Sequence, residues 1–190
     1  MQHRFEAAKN FITPEDCALL NAWVDEGVEK KWLDSGSGKF GFGYTKRVTS
    51  RAYSDRYKYP NIVSEIADRI KMFCNLSEYS LVIGPGQDGV VVSCTFDGGD
   101  VYPHSDPRVT DNLAVLRCNV MTRAAERGGI LNVCGEDKPL EVGELHCYLS
   151  SEYAHEVSQV SGATSRVLWM FGAQVPADDW NSGRIKFGPA

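Results

Sequence analysis

From Ser80 onward the chain breaks into short β-branched runs separated by turn residues, and this texture narrows the fold more than any other feature. The runs are "VVVSCTF", "VYPHSD", "LAVLRCNVM", "GGILNV", "GELHCYL", "HEVSQV" and "RVLWMFGA", with no helix pattern between them. "SLVIGPGQDG" holds a literal GxGxxG, Gly84 to Gly89, which invites a dinucleotide-binding reading. That fingerprint needs a helix to open at its last glycine, whereas here a strand-like run comes next. Gly-Pro-Gly and Asp-Gly read instead as hairpin turns. Many short strands without interposed helices predict an all-β sandwich or barrel, a jelly roll over residues 80–175.

The first 79 residues read as helical support for it. In "FITPEDCALLNAWV", Thr13 is placed as an N-cap, Pro14 at the first helical position and acids in the first turn, with Cys17, Leu20 and Val24 at helical spacing. The helix is expected to end near Gly27. A second helix, from about Pro60 to Cys74, puts Ile62, Val63, Ile66, Ala67, Ile70 and Phe73 on one stripe and Glu65, Asp68, Arg69 and Lys71 on the other. Between them, Gly36, Gly38, Gly41 and Gly43 mark either a lid or substrate loop or a plain surface linker.

A length of 190 residues suits one domain with one sizeable core. The net charge of -5, without any block of like charge, argues against a nucleic-acid partner. Cys17, Cys74, Cys94, Cys118, Cys134 and Cys147 form no CxxC pair and lack disulfide-framework spacing, so they read as reduced, buried thiols of a cytoplasmic protein. Neither an export signal nor a run of about 18 apolar residues is present, so no membrane is expected.

Chemistry concentrates in "DVYPHSDPRVTDN". In a strand, residues i and i+2 share a side, so His104 and Asp106 can both look inward while Ser105 looks away. The same geometry rules out a hydrolase triad built from adjacent His-Ser-Asp. A histidine and a carboxylate on one face are two members of a facial metal triad, which a second histidine would complete. Of His3, His146 and His155, His3 falls in an end expected to fray. His155 is preferred because of the segment it opens, "HEVSQVSGATSRVLWMF". A symmetric reversal at Ser161-Gly162-Ala163-Thr164 would set Arg166 opposite Gln159, on the face of His155 and ~13 Å further along at about 3.3 Å per residue. A dicarboxylate held by metal at one end and a guanidinium at the other would fill that gap. A turn one residue different would move Arg166 to the opposite face.

H-x-D in "YPHSD", the Gly-Gly of "RGGIL", the "GELHCYLSSEYAHEV" segment and the arginine of "SGATSRVLW" resemble the iron(II)- and 2-oxoglutarate-dependent oxygenases, in particular their small prolyl-hydroxylase-like branch. The match runs from about Val91 to Phe171, with a less specific likeness at "FITPEDC". The resemblance implies a double-stranded β-helix (cupin-like) fold and iron(II) on His104, Asp106 and His155. It also implies 2-oxoglutarate held through its distal carboxylate by Arg166, and oxygen consumed with release of succinate and carbon dioxide. Where the branch often reads Tyr-Leu-Asn, this chain reads Arg117-Cys118-Asn119, which makes Arg117 a candidate cosubstrate contact. The branch's tyrosine near "SCTFDGG" is replaced by Phe96, or by Thr95 in a register one residue off. Retention of Asp106 favours hydroxylation over halogenation. An amino-acid, peptide or small-metabolite substrate is implied.

Plainer readings stand beside these. H-x-D alone is common by chance. Tyr102 shares the face of His104 and either lines the pocket or packs there; Arg108 either meets an acidic substrate group at the barrel mouth or is simply exposed. His146 reads as a hydrogen-bonded sheet residue, with His146-Cys147 plus Cys134 as a remote zinc alternative. Arg123 and Arg127 read as a solvated loop, and Trp169 and Phe171 as core. A non-redox cupin-like isomerase or binding module, or a catalytically silent interaction domain, are the other classes of function.

Overall fold

The computed structural model describes residues 3–33, 46–50, 59–79, 89–108 and 110–188. Its elements, in chain order, are β1 (Glu6–Ala8), α1 (Pro14–Glu29), β2 (Arg47–Thr49), α2 (Asn61–Phe73), β3 (Val90–Thr95), β4 (Val101–His104), β5 (Ala114–Arg123), β6 (Leu131–Val133), β7 (Glu136–Lys138), β8 (Leu145–Leu149), β9 (His155–Val157), β10 (Arg166–Val175) and α3 (Ala177–Asn181). The glycine-rich segment 36–43 and the Gly84 turn lie outside the described residues.

The strands form two antiparallel sheets, one ordered β1-β8-β5-β10-β3-β2 and the other β4-β9-β6-β7. Alternation gives the larger sheet two distinct faces. Cys118 and Val120 of β5, Leu145 and Cys147 of β8, and Trp169 and Phe171 of β10 share the face that packs under the helices. Arg117, Asn119, His146, Tyr148, Thr95 and Arg166 share the other, which looks toward the smaller sheet.

Local sequence chemistry explains the helices. Thr13 and Asp16 cap α1 reciprocally: Thr13 Oγ1 accepts from the Asp16 N–H at 3.1 Å and Asp16 Oδ2 from the Thr13 N–H at 3.2 Å. Its buried stripe, Cys17, Leu20, Trp23, Val24 and Gly27, sets the Trp23 ring 5.5 Å from Trp169. A shift of register between β5 and β10 at Val167/Leu168 lets Thr122 and Arg123 both reach α1, where they bind Asn21 and Asp25. Arg123, read from sequence as a loop residue, is thus the end of a strand tied to a helix. Helix α2 buries Val63, Ile66 and Ile70, the centre of the predicted stripe.

The N-terminus departs from the frayed end expected. Arg4 stacks 4.2 Å from the Trp180 ring of α3 and donates to the carbonyls of Trp180 and Ile185, which fastens β1 to the edge of the larger sheet. A second correction concerns the turn after His155. Strands β9 and β10 do not pair as a hairpin: β9 joins β4 and β6, whereas β10 joins β3 and β5. Val160 instead crosses to Gly99, and Arg166 opens a strand of the opposite sheet. Among the described residues no helix is long and apolar enough to cross a membrane.

Candidate metal centre

His104 ends β4 and His155 begins β9, and the two are direct cross-strand partners with ring centroids 4.4 Å apart. Asp106 lies beyond the end of β4 rather than within it. Its N–H donates to the Ser150 carbonyl at 2.8 Å, and this bond turns its carboxylate back so that Oδ1 stands 3.8 Å from His104 Nε2. One ligand atom from each of His104, Asp106 and His155 falls within 4.8 Å of the others.

The two imidazoles are oriented alike. His104 Nδ1 contacts the Tyr102 carbonyl at 2.7 Å and His155 Nδ1 the Tyr153 carbonyl at 3.0 Å. A carbonyl can only accept, so each ring donates from Nδ1 and turns its Nε2 toward the others, an orientation that suits metal ligation. Burial lowers the pKa of His155 to about 4 against a smaller opposing pull from Asp106, so the ring is neutral at pH 7.

Arg117 sits directly behind the carboxylate. Its Nε and Nη2 donate to Asp106 Oδ2 at 2.8 and 2.7 Å, leaving Oδ1 toward the histidines. Burial pushes the Asp106 carboxyl up, but the Arg117 charge, then His155 and the bonds from Arg117 and Ser150, outweigh it and hold the group well below the usual carboxylate range. The role left open for Arg117 is therefore first that of Asp106's partner, with Nη1 left over.

Arg166 reaches this space from β10. It is 2% exposed, stands opposite Thr95 in register, and its Nε and Nη2 have no partner among the described residues. Burial, then the nearby Arg47, lowers its pKa to about 10, so it remains a cation. The Gly-Gly of "RGGIL" makes room for it: Gly129, at φ +67°, would bring a Cβ within 2.8 Å of Arg166 Cδ. Thr95 Oγ1, Asn119 Oδ1, His146 Nδ1 and Arg117 Nη1 are likewise buried without partners, all on the same face of the larger sheet. Buried polar groups are nearly always satisfied, so such a concentration around an unpaired guanidinium suits an anionic ligand.

Other predicted residues fare differently. Arg108 is committed to Glu152, with Nε and Nη2 at 2.8 and 2.6 Å, and to the Asp111 carbonyl, which ties the chain after Asp106 to the chain before His155. The Tyr102 ring is 63% exposed, and the contact it makes with His104 is through its carbonyl. His146 stands 3.5 Å from buried Glu144, as expected of a sheet residue. Among the described residues only Cys74-Cys118-Cys147 and His104-Asp106-His155 converge as potential metal ligands, so the His146, Cys147 and Cys134 alternative does not assemble. Arg127 contacts Ser161, and Trp169 and Phe171 are core.

Sequence reading misses Tyr148. Its ring lies 5.4 Å from that of His155, burial pushes its phenol pKa up, and it feels Asp106, Arg117 and Arg166 together, with Asn119 within hydrogen-bonding reach. It thus touches the His155 ring and shares the sheet face of Arg117 and Arg166. The sequence does carry a signal for it: in "GELHCYL", alternation puts His146 and Tyr148 on one face and Leu145, Cys147 and Leu149 on the other.

No protein-family model and no curated protein matches the sequence. Solved structures do match. The viral collagen prolyl hydroxylase of Paramecium Bursaria Chlorella virus-1, in its 2-oxoglutarate complex, aligns at TM-score 0.61 and 14% identity over 90% of this chain and 96% of that one. HygX from Streptomyces hygroscopicus, with nickel and 2-oxoglutarate bound, aligns at 0.62 and 10% identity over 98% and 91%. The Trichoplax adhaerens prolyl hydroxylase, in complex with a peptide fragment of the hypoxia inducible factor oxygen degradation domain, aligns at 0.58 and 14% identity over 88% and 83%. Identity this low speaks for the fold alone, a mainly antiparallel β architecture that this chain shares with these two prolyl hydroxylases and HygX.

Proposed function

We propose that this chain is an iron(II)- and 2-oxoglutarate-dependent oxygenase that hydroxylates a C–H bond of an amino-acid, peptidyl or small-metabolite substrate. One observation carries the reading: two histidines and a carboxylate converge on the same interior that buried Arg166 faces, its Nε and Nη2 without partners among the described residues. A His₂-carboxylate set with open positions suits non-haem iron(II), and an unpaired guanidinium suits a carboxylate. Iron held there would supply oxygen activation, with 2-oxoglutarate leaving as succinate and carbon dioxide.

The chain's own groups then have defined tasks. His104 and His155 offer Nε2, and Asp106 offers Oδ1 while Arg117 holds Oδ2, which favours one-oxygen ligation. Arg166 takes the distal carboxylate of 2-oxoglutarate in a bidentate grip, with Thr95 Oγ1 and the Tyr148 hydroxyl beside it. Burial of these groups excludes water and strengthens each contact. Within this reading the two sheets are the halves of a double-stranded β-helix, and the chain acts as a single cytoplasmic domain. The peptide complex of a fold neighbour supports a peptidyl substrate among the three classes.

Succinate release from 2-oxoglutarate, measured with iron(II), ascorbate and oxygen over a panel of amino acids and peptides, tests the proposal. It should rise with at least one substrate and vanish in Asp106→Ala. Metal binding without any succinate from folded protein would favour the non-redox, cupin-like class instead.

A further inference from the structure

Behind the larger sheet, on the face away from His104, three cysteines from three separate elements meet. Cys74 directly succeeds the last turn of α2, Cys118 lies in β5 and Cys147 in β8, and each is fully buried. Cys118 and Cys147 are direct cross-strand neighbours. The Cys74 and Cys147 sulfurs are 3.8 Å apart, and all three lie within 4.8 Å of one another.

Those separations define a site size. Dividing an edge by √3 gives the distance from an equilateral triangle's centre to its corners. Edges of 3.8 to 4.8 Å therefore enclose a point roughly 2.2–2.8 Å from each sulfur, which brackets the ~2.3 Å metal–thiolate bond. No fourth His, Cys, Asp or Glu joins the group among the described residues, and all three cysteines are buried. Zinc sites of structural type close with four ligands, and magnesium or calcium needs oxygen. Thiolates alone in a three-fold set select a soft ion.

We propose that Cys74, Cys118 and Cys147 form a three-sulfur site for a soft d¹⁰ cation of the cuprous class, which staples α2 to β5 and β8. One further feature agrees with it. The residues next to the site along each strand, Arg117 beside Cys118 and His146 and Tyr148 beside Cys147, face the His-Asp-His cluster through the sheet. A loaded site would therefore brace the wall on which those residues stand. The alternative is that the three thiols pack as small apolar groups.

Reduced, oxygen-free protein is titrated with cuprous ion delivered from a chromophoric chelator, with uptake read by native mass spectrometry and by the emission of a water-shielded copper–thiolate centre. One equivalent should bind with emission. Affinity should fall at least tenfold in Cys118→Ser and in Cys74→Ser and stay unchanged in Cys134→Ser, which alters an exposed cysteine. Circular dichroism reports the fold of each variant; where Cys118→Ser does not fold, Cys147→Ala keeps an apolar group and gives the same reading. Folded wild type that takes up no copper, or copper uptake that survives every buried-cysteine variant, overturns the proposal. So does a Cys74–Cys147 disulfide in protein purified without reductant, joined to absent copper uptake after reduction.

Discussion

Replacing Arg117 with methionine removes both donors, at 2.8 and 2.7 Å, that Asp106 Oδ2 receives. The two side chains are 6% and 10% exposed, so solvent cannot take over. Removing one partner of a buried ion pair costs about 3–5 kcal/mol, because the remaining charge stays in the interior. At ~2–4 °C per kcal/mol for a chain of this size, metal-free Arg117→Met should melt roughly 6–20 °C below wild type at pH 7. Methionine fills most of the vacated volume, so the deficit belongs to the stranded carboxylate rather than to a cavity. Asp106→Asn added to Arg117→Met deletes that charge and should recover much of the loss. Urea unfolding of wild type, both single variants and the double variant yields the coupling energy, expected at about 2–4 kcal/mol. Additivity within ~0.5 kcal/mol would refute the assignment of Arg117 as the partner that holds Asp106.

Gly129→Ala should act on the cosubstrate and spare the metal: a Cβ 2.8 Å from Arg166 Cδ at a φ of +67° displaces the guanidinium. Calorimetry is expected to show 2-oxoglutarate affinity at least tenfold weaker and iron(II) affinity unchanged. Tyr148→Phe keeps the ring contact with His155 but loses the hydroxyl, and the loss of one hydrogen bond to a charged group, about 1.5–3 kcal/mol, should weaken 2-oxoglutarate tenfold or more without moving iron(II) binding. Acid stability should depend on His146. Burial lowers its folded pKa to about 4 from an unfolded 6.5, so the unfolded chain takes the proton first as pH falls. Its contribution is complete above pH 6.5 and disappears progressively toward pH 4, about 3 kcal/mol in all. Urea midpoints in that window should flatten in His146→Gln.

Much of this arrangement is legible in the residues, for identifiable reasons. Thr13, Pro14 and Asp16 announce α1 because capping is local chemistry, and β-branched runs between turn residues announce the strands. His104 and His155 meet through a cross-strand register, and Asp106, just past the end of β4, joins them because its N–H bonds the Ser150 carbonyl and turns the carboxylate back. Arg166 shares a sheet face with Arg117, but not through the register that the hairpin reading assumed. The reversal at Ser161-Gly162 reads as a hairpin, yet Val160 crosses to Gly99 and β10 enters the other sheet, a choice made by long-range pairing that local turn chemistry does not encode. Tyr148 and Arg117 are harder to place. Alternation in "LHCYL" and "LRCNV" marks their shared face, but what they do depends on that face looking at the smaller sheet, a long-range arrangement that no local pattern encodes. Arg108's tie to Glu152 spans 44 residues and leaves no local trace.

The central claim is that one interior holds both a metal and the far end of 2-oxoglutarate. Its most direct test is an anaerobic titration of the metal-free protein with iron(II) and 2-oxoglutarate, monitored through the visible charge-transfer band of the chelate. Wild type should show the band, His155→Ala should lack it, and Arg166→Ala should reach it only at much higher 2-oxoglutarate. A folded wild type that binds iron(II) yet gives no band at saturating 2-oxoglutarate would contradict the account.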